Sequence, residues 1–83
     1  MYKKLPISYK IPNELEDIIN QYVIFLNTGK GLTDADDYYT TEIQLILNWC
    51  FRERLLSEEQ IKELRNYYQR GGIKKGENNG QNL

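Results

Sequence analysis

Over the first dozen positions apolar and polar residues alternate, and from there the spacing becomes helical. Leu5, Ile7, Tyr9 and Ile11 project to one side of an extended backbone, Lys4, Ser8 and Lys10 to the other, which is the period of a short strand. Pro6 has no N–H to give a neighbour, so such a strand lies at an edge or begins after it. From Asn13 onward Leu15, Ile18, Ile19, Tyr22 and Leu26 fall on one helical stripe. Asn13 and Glu16 have the form of a capping box, and Gly29 and Gly31 supply a stop, which predicts a first helix over 13–27.

Between Thr33 and Arg70 there is neither glycine nor proline, so any break must come from capping. Ser57 and Gln60 supply one as a Ser-x-x-Gln box, with Ile61, Leu64 and Tyr68 following at helical spacing and Gly71 and Gly72 closing the run. A second helix over 33–55 and a third over 58–70 then form a hairpin. The second is apolar on two sides. At about 100° per residue, Tyr39, Ile43, Ile46, Leu47 and Cys50 gather on one face, and Tyr38, Leu45, Trp49 and Leu56 gather opposite, stepping by seven, four and seven. Either the first and third helices sandwich it, or the second stripe meets another chain.

Composition narrows the chemistry. The 83 residues, 40% hydrophobic and 28% charged, suit one small domain over 1–72 with 73–83 as a flexible tail that has little to bury. The chain has no histidine, which removes Ser-His and Cys-His nucleophile systems, and its single cysteine allows neither an internal disulfide nor a structural zinc site. Cys50, set in "LILNWCF", reads as a small core residue. No cofactor, no metal and no catalytic residue is expected. The cysteine usage suits a cytoplasmic setting, and no apolar run approaches the ~20 residues of a membrane span.

The net charge of −1 conceals a segregation: residues 1–10 carry Lys3, Lys4 and Lys10 with no acid, whereas residues 11–50 carry seven acids against Lys30. Three of the acids, Asp34, Asp36 and Asp37, open the second helix in "TDADDYYTTE". As a metal site the run lacks the spaced glycine and distal glutamate of a calcium loop, and only Glu42 lies a turn away. Thr33 with Asp36 has capping-box form, and acids in a first turn are stabilised by the helix dipole. An acidic, tyrosine-bearing helix start also suits a basic partner surface.

Two resemblances follow. "LPISYKIPNELEDIINQY", a short alternating strand, a proline and an amphipathic helix, resembles the first half of a ribbon-helix-helix DNA-binding protein. That resemblance implies a dimer whose paired strands present Lys4, Ser8 and Lys10 to the major groove. Pro6 within the strand, and three aspartates where that family holds a phosphate, depart from the pattern. "ILNWCFRERLLSEEQIKELRNYY" is similar to the helical hairpins known as SHOCT-like domains, which implies a protein-interaction or oligomerisation module without catalytic residues.

The expectation is an all-α domain of three helices, preceded by a segment of strand pattern, that binds another macromolecule. The expected surface is Asp34, Asp36, Asp37, Tyr38, Glu42, Leu45 and Trp49, and the expected partners are a protein with a basic surface or a second copy of the chain. Such a protein would regulate or inhibit a nucleic-acid-handling partner. The alternative is DNA binding through Lys4, Ser8 and Lys10.

Overall fold

The computed structural model describes residues 2–30 and 34–73. Helix α1 spans Asn13–Phe25 and widens into a π-helical turn over Leu26–Lys30; α2 spans Asp34–Arg52 and α3 Glu58–Tyr67. The all-α, three-helix architecture is the one the periodicity predicts. Both α1 and α3 pack on α2, and α2 and α3 form the expected hairpin.

The predicted stripes build the core. Leu15, Ile18, Ile19, Tyr22 and Leu26 meet Ile43, Leu47 and Cys50 of α2, with Leu56, Ile61, Leu64 and Tyr68 closing from the third helix and its flanks. Each such side chain removed from water stabilises the fold by about 1.5–3 kcal/mol. Ile73, assigned by composition to the flexible tail, is also buried. The rest of that tail, 74–83, lies outside the described residues.

Helix ends differ from expectation in instructive ways. Asn13 does not cap α1: the helix begins at Asn13, Pro12 precedes it with extended geometry, and no side chain caps it. The Pro12 carbonyl instead takes the Glu16 N–H at 3.0 Å, which puts Glu16 one residue too far along for the box. Ser57, by contrast, makes the full box with Gln60, in both directions. Of the two glycines predicted to stop α1, Gly31 lies outside the described residues, as does Thr33.

Helix α2 ends at Arg52, three residues short of the predicted boundary, without glycine. Leu55 N–H returns to Cys50 C=O at 2.9 Å and Arg54 N–H to Phe51 C=O at 3.2 Å, the pair of bonds that closes a helix when the next residue is left-handed. That residue is Arg54, at φ 58°. After α3 the chain turns through Gly71, at φ +80°, and Gly72 presses on the helix end so closely that a Cβ would stand 2.5 Å from Asn66 O. This turn delivers Ile73 to the core.

Residues 2–12 form no strand among the described residues, although their alternation is real. Leu5, Ile7, Tyr9 and Ile11 are half-buried against the helices while Lys4, Ser8 and Lys10 face solvent. Tyrosine side chains hold this arm. Leu5 N–H donates to Tyr68 Oη at 2.9 Å, Tyr67 Oη donates to Lys3 C=O at 2.6 Å, and Tyr9 Oη donates to Glu63 at 2.8 Å. Asn27 secures the start by exchanging bonds with both backbone groups of Tyr2.

Two substitutions test the turns in opposite directions. Arg54→Gly relieves a left-handed arginine and is expected to stabilise by about 0.5–1 kcal/mol, a rise of several degrees in Tm by scanning calorimetry. Gly72→Ala forces the turn off the end of α3 and lowers Tm.

Candidate interaction face on the second helix

The acidic helix start divides by burial. Asp36 is fully buried, on the same inward side of α2 as Thr40, Ile43 and Leu47. One carboxylate oxygen accepts a hydrogen bond from Tyr22 Oη of α1. The other lies 3.7 Å from Arg70 Nε and accepts no hydrogen bond among the described residues. Arg70 also reaches Asp37 Oδ1 at 2.7 Å, so one guanidinium straddles two acids of the first turn. Thr40 adds a bond from its hydroxyl to the Asp36 carbonyl at 2.9 Å.

This clasp uses Asp36 inside the fold rather than on a surface, and it shifts its donor. Burial first, then the bond to Asp36 and its negative charge, push the Tyr22 phenol far above its ordinary value. The hydroxyl therefore stays protonated and donating. Tyr22 and Arg70 were absent from the expected site. The inward position of Asp36 can be read from its spacing to Ile43 and Leu47, whereas no local signal marks Arg70, 34 residues away.

Opposite the core, Tyr38 and Leu45 are 59% and 56% exposed, with Glu42 and Trp49 half-exposed between and beyond them. Helical spacing places all four on one outward stripe of α2. The stripe is held from behind: Tyr38 packs edge-on against Tyr39 at 5.2 Å, and Tyr39 stacks on Tyr22 at 5.7 Å and leans on Phe25 at 5.2 Å. Trp49 packs partly on the core, and Leu56, the last member of the predicted seam, is buried beyond the helix end. Asp37 is exposed beside Arg70. Asp34 begins α2.

Cys50 is a buried free thiol whose pKa is pushed up, first by burial and then by the charge of Glu14. The nucleophilic thiolate is thus disfavoured. Among the described residues no group of three His, Cys, Asp or Glu side chains converges to hold a metal ion. No helix among them is long and apolar enough to cross a membrane.

The alternative site, Lys4, Ser8 and Lys10, lies along the solvent side of the N-terminal arm. Docking of the opposite side tunes two phenols, Tyr9 of the arm and Tyr68 at the end of α3. Burial, then the bond to Glu63 and its charge, raises Tyr9 to about 12; burial outweighs the Leu5 N–H bond, which acts the other way, and raises Tyr68 to about 12. Each phenol stays protonated to a higher pH in the fold than in the unfolded chain. Its contribution is complete below pH 10 and is lost as pH rises from there to about 12.

No protein-family model, no curated protein and no solved structure matches this chain. The geometry of its own residues therefore carries the functional reading.

Two measurements probe these networks. Tyr22→Phe leaves the buried Asp36 carboxylate short of a donor and is expected to cost about 1–3 kcal/mol in urea unfolding. For the arm, wild-type stability should fall between pH 10 and 12, and Tyr68→Phe should flatten that fall while costing about 1 kcal/mol at neutral pH.

Proposed function

We propose that this chain is a non-enzymatic regulatory or inhibitory protein of the cytoplasm that acts by protein–protein contact through the outer face of α2. The observation that carries the reading is the exposure of Tyr38 and Leu45 two turns apart, with Trp49 continuing the stripe and Glu42 set within it. Tyrosine and tryptophan offer large contact area at small rotamer cost, and they dominate the binding energy of many interfaces. Tyr38 rests edge-on against Tyr39, whose ring is itself held by Tyr22 and Phe25, and this backing lowers the entropy lost on binding.

The partner that fits is a protein with an apolar groove rimmed by basic side chains, the surface a nucleic-acid-handling protein presents. Glu42 supplies the complementary charge within the stripe. Of the other acids in the proposed contact set, Asp34 and Asp37, Asp37 is exposed but already shares its charge with Arg70, so Glu42 carries most of the attraction to a basic partner. Asp36 drops out of the contact set because the clasp consumes it. A non-enzymatic role is supported by the lack of histidine and by the engagement of Cys50 and Asp36 in the interior.

A second reading, duplex DNA binding by a dimer through Lys4, Ser8 and Lys10, draws on the common exposure of those three side chains. The arm's Leu5 N–H and Lys3 carbonyl are already bonded within the chain, which weighs against pairing with a twin strand there.

The two readings separate by mutation. Leu45→Asp places a charge on an exposed position, so the fold should persist by circular dichroism while nuclease-resistant capture of the host partner falls at least about tenfold. Lys4→Ala with Lys10→Ala should leave capture intact. If the arm variant loses duplex DNA binding and function together while Leu45→Asp retains both, DNA binding replaces the interaction reading.

A further inference from the structure

The outer stripe of α2 contains more than its apolar members. Tyr38, Glu42, Leu45, Trp49 and Arg52 follow one another at steps of four, three, four and three, the spacing of the a and d positions of a coiled coil. All five lie within α2, and Arg52 is exposed at its end. The seam therefore reads, in order, aromatic, acid, apolar, aromatic, base.

We infer that, in the absence of its partner, this seam closes on a second copy of the same chain, with the two α2 helices antiparallel about a two-fold axis. The inference rests on the outer face being the interaction surface proposed above. Its support is self-complementarity of charge. In an antiparallel pair the layers alternate a against d, so the register that sets Leu45 on the partner's Trp49 also sets Glu42 on the partner's Arg52. By symmetry each pairing occurs twice, giving two apolar layers flanked by two opposite-charge layers. A parallel pair in register would set Glu42 on Glu42 and Arg52 on Arg52, and like charges in facing positions are disfavoured. The signs at these two positions thus select the antiparallel form.

This pairing gives the regulatory reading a mechanism. A basic partner offers Glu42 the same kind of contact that Arg52 of the second copy offers, and the apolar stripe cannot serve both. Homodimer and partner complex are mutually exclusive, and a seam of only two apolar layers dissociates readily.

The test uses the purified full-length chain, alone and as charge swaps, in sedimentation equilibrium across the micromolar range, with circular dichroism to verify folding. Wild type is expected to show a monomer–dimer equilibrium. Glu42→Arg alone and Arg52→Glu alone should each weaken it by about tenfold or more, since each sets like charges together twice. The double variant should regain the dimer, and an equimolar mixture of the two single variants should form a heterodimer. A wild type that is monomeric throughout overturns the inference, as do folded single swaps that dimerise like wild type or a double variant that does not recover. Partner capture from the host distinguishes the two proposals. Capture by a strictly monomeric protein sinks the dimer alone, whereas an intact dimer without any Leu45-dependent capture sinks the regulatory reading alone.

Discussion

A carboxylate buried among apolar side chains must find donors and counter-charge inside the protein, because desolvation otherwise costs several kcal/mol. Asp36 meets that demand from two directions, with the Tyr22 hydroxyl on α1 and the Arg70 guanidinium beyond the end of α3. A single side chain at the start of α2 thereby ties that helix to α1 by a hydrogen bond and to the chain just past α3 by charge. The ring of Tyr22 extends the effect outward, since Tyr39 stacks on it and Tyr38 packs on Tyr39. A continuous run of contacts thus leads from the buried carboxylate to the exposed aromatic of the outer face.

A chain of this size buries a small core, and polar devices make up the difference. Tyrosine does much of this work: Tyr9, Tyr67 and Tyr68 each contribute ring area to the core side and a hydroxyl to the arm or its neighbour. The arrangement satisfies arm backbone groups that a strand partner would otherwise have to satisfy. It also explains how a segment with strand periodicity remains unpaired among the described residues.

The helices were legible because their signals are local. The apolar stripes of α1 and α3 and the Ser57 box appear in the structure as the spacing predicts, and the two-faced character of α2 appears as one buried and one exposed side. What escaped was set by contacts distant in sequence or by backbone geometry without a residue signature. Asp36 resembled a surface acid until Arg70 and Tyr22 closed on it. Arg54 adopts a conformation that usually calls for glycine, so the end of α2 carried no mark. Ile73 looked like the first residue of a polar tail because the Gly71–Gly72 turn that folds it inward is read only in three dimensions. At the candidate face, the positions of Tyr38, Leu45 and Trp49 followed from periodicity, while the removal of Asp36 required burial to be seen.

The docking of the N-terminal arm has a bearing on how the molecule comes into being. Leu5 and Lys3 find their partners in Tyr68 and Tyr67, some 63 and 64 residues further along. Within these residues the arm is made before α3 and can be seated only once Tyr67 and Tyr68 are in place to receive it. Loops of that length close slowly compared with the formation of a local helical hairpin. For that interval Leu5, Ile7 and Tyr9 stay in water, and the lysines on either side of them, Lys3, Lys4 and Lys10, keep the waiting segment solvated.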